Sequence, residues 1–210
     1  MDREWQGTTR VGEHRMMRIA IVTSPFGALP PTGIGAVEKL WFNMGVVFAG
    51  LGHEVTFYCK GAERGCPLGS GYSFRSVRGY ERTGRLISDL PLDLFYSYRA
   101  LVKLAPCDVL VMNTFFTPLL SPLFRRKFKV TVYNVERYPK GQLKWYTGVD
   151  RFCCVSQAVA KAAIEQAPQL ADRIKVINNP VDTASFRCRC VCGEPENVRA
   201  VCSASRSADV

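Results

Sequence analysis

Near the start of the chain a strand pattern, a glycine-rich loop, an amphipathic helix pattern and a second strand pattern follow one another, and this order restricts the fold more than any other feature. The run Arg18-Ile-Ala-Ile-Val-Thr23 is β-branched without polar alternation, as a parallel strand covered on both faces should be. Residues 24–35, rich in Pro and Gly, come next. Val37, Leu40, Trp41, Met44, Val47, Phe48 and Leu51 then recur at spacings of three and four, which predicts one buried helix face over residues 36–51. Gly52 can end this helix, and Glu54-Val-Thr-Phe-Tyr58 reads as the second strand. The result is a βαβ unit, whose crossover is nearly always right-handed.

The alternation continues. Residues 59–84 are polar, glycine-rich and basic, mainly loop with a short strand at 72–77; a helix is predicted over 89–105, with Pro91 tolerated near its start. Residues 108–112, 128–133, 151–155 and 173–177 read as four further strands, and Ser156 is placed to cap a helix running to residue 167. Strands alternating with helices predict an α/β fold, a single doubly wound Rossmann-like domain with a mostly parallel sheet. The pattern stops after Phe186, where residues 187–210 have no convincing period and contain Cys188, Cys190, Cys192 and Cys202.

Composition narrows the classes of function. With 47% hydrophobic and 22% charged residues, the 210-residue chain is not a disordered, collagen-like or coiled-coil sequence. Its apolar runs at 41–51 and 109–124 are interrupted by Asn, Gly, Thr or Pro, so neither has the uninterrupted apolar length of a membrane helix. The formal net charge of +10 favours an anionic partner, such as a phosphorylated substrate, an anionic lipid or nucleic acid. Residues 1–15 hold no apolar segment of a secretory signal, which leads to the expectation of a cytoplasmic protein; Met16 and Met17 precede the first strand, so residues 1–15 read as a disordered or misannotated extension. Cys59, Cys66, Cys107, Cys153 and Cys154 lie in or beside apolar segments, as buried thiols do.

Three segments resemble the N-terminal half of family-four, GT-B-type glycosyltransferases. Pro30-Pro-Thr-Gly-Ile-Gly-Ala-Val-Glu38, followed by Gly52-His-Glu-Val-Thr56, is similar to the family's Pro-Pro, Gly-Gly-x-Glu and Gly-His-Glu-Val pattern. Asp150-Arg-Phe-Cys-Cys-Val-Ser-Gln-Ala-Val159 is similar to its Ala-Asp strand and Val-Ser-x-x-Val helix start. Ile177-Asn-Asn-Pro-Val-Asp-Thr-Ala-Ser-Phe186 is similar to its Ile-Pro-Asn-Gly-Val-Asp-x-x-x-Phe segment, where the first domain hands over to the second. The sequence departs from the pattern at Ala36, Asn178 and Pro180, and the histidine often found after the fifth strand is replaced by a region holding Tyr133, Asn134 and Glu136.

The resemblance implies hexosyl transfer from a nucleotide-sugar donor to a glycan or lipid-linked acceptor, with retention, with no cofactor and no metal, in glycan or cell-envelope polysaccharide synthesis. It places Gly33, Ile34 and Gly35 opposite the donor diphosphate. The physical use of such a loop is that backbone N–H groups and a helix N-terminus accept negative charge; the plainer use is a tight strand-to-helix turn. The family's second domain carries a pair of glutamates separated by seven residues, and no two glutamates here have that spacing. Residues 16–186 are therefore expected to be the acceptor-side domain, with the donor-binding domain absent, residues 187–210 an aberrant or disordered tail, and the chain an inactive fragment. The tail composition fits a GC-rich gene read out of frame.

Other residues divide between chemistry and structure. Asn134, Glu136, Arg137 and Lys140 follow a strand at the carboxyl edge of the sheet, where open α/β sheets bind ligands; either they hold an acidic or phosphorylated acceptor or they form a solvated loop. Arg125, Arg126, Lys127 and Lys129, beside Phe115, Phe116, Leu119, Leu120 and Phe124, form either a peripheral docking site for anionic membrane or the charged end of a buried helix. A binding module for a membrane surface or polyanion is thus the non-enzymatic alternative. A nicotinamide site is disfavoured because position 38 is Glu where Gly-x-Gly-x-x-Gly needs glycine, and residues 56–61 contain no acid to hold a ribose. His53 and Ser156 read as structural, Asn179 and Asp182 as turn or hinge formers, and the Cys-x-Cys-x-Cys tail lacks the usual zinc-ligand spacing.

Overall fold

A computed structural model gives the fold, and it describes residues 15–31, 35–61 and 71–180. Gly33, Ile34, Cys66, Asp182 and the tail at 187–210, all singled out above, lie outside the described residues, as do residues 1–14.

Seven strands form one sheet: β1 (Arg18–Val22), β2 (Glu54–Cys59), β3 (Tyr72–Ser76), β4 (Cys107–Met112), β5 (Phe128–Val135), β6 (Arg151–Cys154) and β7 (Ile174–Val176). Their order is β3-β2-β1-β4-β5-β6-β7, and every pairing is parallel. The expected Rossmann-like α/β class is the observed one. Order reverses between β1 and β4, the switch point at which such sheets open a crevice beyond their carboxyl ends. Ile19, Ala20, Ile21 and Val22 are all buried, as a central strand with cover on both faces requires.

The two faces are filled by different helices. Alternate residues Ile19, Ile21, Val55, Phe57 and Val111 pack with Trp41 and neighbours of α1 (Ala36–Gly50). Ala20, Val22, Tyr58, Leu110, Met112 and Phe152 pack on the other face with Tyr96 and Leu101 of α2 (Leu86–Lys103) and with Val159 and Ala163 of α4 (Gln157–Gln166). A short α3 (Thr117–Leu120) runs into a 3₁₀ segment at Ser121–Lys127, and 3₁₀ turns follow at Gln142–Trp145 and Pro168–Arg173.

One predicted helix face needs correction. The apolar spacing assigns Val47 and Leu51 to the buried side of α1, yet they are 55% and 57% exposed. The helix instead turns Trp41 and Gly45 inward, because Gly45 lets its backbone close on Phe57; a Cβ at Gly45 would overlap the Phe57 ring. Phe42, left out of the predicted face, stacks with Phe74 at 6.2 Å between ring centroids.

Several local expectations have a visible physical basis. Ser156 Oγ accepts from Val159 N at 3.3 Å and caps α4. His53 Nδ1 accepts from Met17 N–H at 3.4 Å, which is a structural contact. Asp150 anchors the entry to β6: its Oδ2 accepts from Thr131 N and from Thr131 Oγ1 at 2.8 Å each, and Arg125 spans both carboxylate oxygens at 3.0 and 3.1 Å. Desolvation opposes the charge on Asp150, but these donors outweigh it and hold the carboxyl below its usual range.

Candidate functional site

A cleft of about 710 Å³ opens beyond the carboxyl ends of the central strands. Its walls come from five separate stretches: Ser24, Phe26 and Gly27 after β1; Gly35 to Glu38 at the start of α1; Arg82 between β3 and α2; Asn113 after β4; and Tyr133 to Tyr138, with Gln142, around the end of β5. The loop after β1 is fixed at its base by Leu29 N–H donating to the Lys60 carbonyl at 3.1 Å. Asn113 ties β4 to β1, its N–H and Nδ2 donating to the Val22 carbonyl at 3.1 and 3.3 Å. With Nδ2 so engaged, the buried Oδ1 of Asn113 has no hydrogen-bond partner among the described residues.

The structure brings together two sequence-predicted pieces, Gly35 and the Asn134–Glu136–Arg137 group, in the lining of this one cleft. Gly35 is the N-cap of α1 and has φ −173°, an extended conformation open to any residue, so backbone angle does not require glycine here. Space does. A Cβ on Gly35 would lie 2.7 Å from Glu38 Oε2, and one on Gly27 would overlap the same side chain. Glu38 therefore lays its carboxylate into the gap left by two glycines, in the first turn of α1 where the helix dipole favours negative charge. The anion-accepting end of the helix is thus already faced by an acid of the chain itself.

In the same lining, Asn134 is buried and its Nδ2 donates to Glu136 Oε1 at 2.6 Å. Desolvation, and secondly the charge of Glu38, push the Glu136 carboxyl up to about 7, against the opposing pull of Arg137 and of the Trp41 indole. Trp41 Nε1 makes no hydrogen bond within normal distance, so its influence on Glu136 is that of a nearby oriented dipole. At neutral pH the site therefore holds one carboxyl poised between its protonated and charged forms. Such a group can both accept a hydrogen bond from a hydroxyl and donate one to it.

The remaining predicted residues fall elsewhere. Lys140 is exposed, does not line the cleft, and its N–H donates to Gln142 Oε1 at 2.7 Å. In the basic segment, Arg125 pairs with Asp150, Lys129 Nζ lies 2.7 Å from Asp108 Oδ1, and Lys127 Nζ donates to the Leu101 and Val102 carbonyls at 3.0 and 2.7 Å. Arg126 is exposed, beside Leu123 at 77% exposure. No three His, Cys, Asp or Glu residues gather as a metal-binding group among the described residues, and no helix among them is long and apolar enough to cross a membrane.

Sequence reasoning missed Arg82, Asn113 and Tyr138 as cleft residues. Arg82 sits in a polar loop with no periodic signal; its guanidinium lies over the Phe26 ring, 5.4 Å from the centroid. Tyr138 is 63% exposed on the cleft rim.

Comparisons with known proteins agree with this architecture. The family model described as Glycosyltransferase Family 4 matches residues 37–185. Among solved structures, a glycosyltransferase from Rickettsia africae ESF-5 is similar in fold, with a TM-score of 0.53 at 15% identity over 91% of this chain and 50% of that one. The chain spans about half the length of that structure. No curated protein sequence matches it.

Proposed function

Because the chain belongs to Glycosyltransferase Family 4, we propose that its cleft binds the acceptor for transfer of a sugar from a nucleotide-sugar donor. The observation that carries this reading is the convergence of Asn134, Glu136 and Asn113 on one cleft with the N-terminus of α1. Amide and carboxyl groups of this kind suit a hydroxyl-bearing acceptor, because each can give or take a hydrogen bond from a hydroxyl.

In the proposed reaction the acceptor oxygen forms a bond to the anomeric carbon, the bond from that carbon to the diphosphate oxygen breaks, and the hydroxyl proton passes to the departing diphosphate. Retention of configuration, and transfer without a required metal, belong to the same proposal. The chain's own task is positioning. Glu136, held by Asn134, orients the acceptor hydroxyl, and burial in the cleft keeps it from exchanging that contact for water. The N–H groups opening α1 face the leaving diphosphate once the Glu38 carboxylate turns aside. Residues 16–186 serve as the acceptor-side domain in this reading.

The test is calorimetric binding of a panel of hydroxyl acceptors to the full chain, which spans about half the length of the glycosyltransferase it resembles and is not expected to transfer sugar by itself. Saturable acceptor binding, weakened at least tenfold by Asn134→Ala, is the expected result. Binding that is indifferent to Asn134 and Glu136 would remove the cleft from acceptor recognition, and an inverted product, read by NMR when a separate donor-binding half is supplied, would refute retention.

A further inference from the structure

Helix α2 turns an apolar row to solvent. The outward side of a helix that lies against a sheet should be polar. Tyr96, Ala100 and Leu101 of α2 pack inward, and both of its acids are engaged: Asp93 is buried and accepts from Ser97, Phe115 and Phe116, and Asp89 accepts from Thr83. The outer side carries Ile87, Pro91, Phe95, Tyr98 and Val102, at spacings of four, four, three and four. All are exposed, Ile87 to 88% and the last three to 55%, 53% and 48%. At the helical rise per residue the row runs for about 22 Å. Leu123, also exposed, adjoins it, because the ring of its chain neighbour Phe124 meets Tyr98 edge-on at 6.3 Å. Nothing among the described residues covers this face.

The cations beside the row are turned to other groups. Arg99 donates to the Tyr80 hydroxyl, Lys103 Nζ to the Ser76 carbonyl at 2.9 Å, and Lys127 Nζ to the Leu101 and Val102 carbonyls. A surface made for anionic lipid would keep such charges free to meet headgroups. The row also reads nearly the same in both directions: Ile87 stands as far before its midpoint as Val102 stands after it, and Pro91 as far before as Tyr98 after. A two-fold axis through that midpoint sets Ile87 against Val102 of a second copy, Pro91 against its Tyr98, and the two Phe95 side chains beside each other at the axis. Self-complementarity of this kind is what a closed two-fold interface needs.

We infer that this face of α2 is covered by the same face of a second copy of the chain, in a dimer centred on an antiparallel pair of α2 helices. The row and Leu123 expose about 600 Å² per copy, so joining two removes about 1,200 Å², the lower end of specific interfaces. Association in the micromolar range follows, rather than a permanent dimer. None of these residues lines the cleft, so the inference stands apart from the acceptor reading. Arg85, immediately before α2, comes near Lys103 of the second copy, and salt that screens these like charges should tighten the dimer.

Sedimentation equilibrium of the full chain tests this, with Ile87→Glu and Phe95→Glu as variants of the row and Val47→Glu as an equally exposed control on α1. The wild type should show a monomer–dimer equilibrium that strengthens with salt. Each row variant should weaken it at least tenfold, because the two-fold brings every introduced charge into the contact twice, and the control should leave it unchanged. Circular dichroism checks that the variants stay folded. A chain that remains monomeric through the micromolar range overturns the inference, as does a dimer that both row variants leave intact or that the control weakens as much. A monomer that co-sediments with phosphatidylglycerol vesicles, and loses this in the row variants, assigns the face to a lipid surface and also overturns it.

Discussion

Replacing Glu136 by Gln should change how stability depends on pH, and the direction follows from the cleft. In the native chain desolvation and the facing Glu38 raise this carboxyl from 4.5 to about 7. An unfolded glutamate titrates near 4.3. Between these values the folded state binds the proton more tightly than the unfolded one, so stability falls as pH rises through that window. Below it both states are protonated and Glu136 contributes nothing; above about 7 the full cost of its buried charge is present. The nominal cost is about 4 kcal/mol at about 1.4 kcal/mol per pH unit, and because Glu136 is only half-buried, solvent screening reduces this to about 1–2 kcal/mol. Gln keeps an oxygen for Asn134 Nδ2 and carries no charge at any pH. Urea unfolding of both proteins at pH 5 and pH 8 supplies the comparison, since other titrating groups cancel in the difference between them. The gap between variant and wild type should move by about 1–2 kcal/mol in favour of Glu136→Gln on going from pH 5 to pH 8. A gap that is the same at both pH values, or that moves towards the wild type, would refute the account of a charge-averse carboxyl in the cleft.

Further outcomes are expected elsewhere. Glu38→Gln removes the second cause of the raised Glu136 carboxyl, so carbon-13 NMR titration should find Glu136 below about 7; an unchanged midpoint would mean the two carboxyls do not sense each other. Asp150→Ala deprives buried Thr131 of its acceptor and Arg125 of its partner, and should cost about 1.5–3 kcal/mol in chemical denaturation. Because Asp150 is held below its usual range, its stabilisation is present above the unfolded carboxylate value and is lost as pH falls through the lower folded value; acid unfolding of wild type should be steeper there than that of Asp150→Ala. Gly45→Ala forces a Cβ into the Phe57 ring, and overpacking should outweigh the gain in helix propensity, leaving a net loss of about 1–2 kcal/mol; a more stable variant would show that α1 can lift off the sheet freely.

Much of this fold is legible in the sequence because its signals are local. A β-branched run such as Arg18–Val22 can be buried on both faces only in a covered sheet, and strands separated by helices must be parallel to share it. Ser156 announces its cap by its place immediately before Gln157–Gln166. The sequence likewise places Asn134 and Glu136 at the carboxyl edge, although the strand runs on to Val135, so Asn134 belongs to its last paired stretch and only Glu136 lies past it. Tertiary structure alone decided the rest. Whether Val47 or Phe42 faces inward depends on how closely Gly45 approaches Phe57, a contact between segments that no helical period encodes. Arg82 enters the cleft because the connection between β3 and α2 runs beside the loop after β1, where Tyr80 N–H donates to the Pro25 carbonyl, so a residue in a featureless polar stretch meets Phe26. Gly35 reads as a place for a diphosphate, and only the packed chain shows the Glu38 carboxylate beside it, because side chains compete for space and charge only once they share a volume. The same neighbourhood sets the proton affinity of Glu136: its residue type is written in the sequence, but its field comes from Glu38, Trp41 and Arg137, which only folding assembles around it.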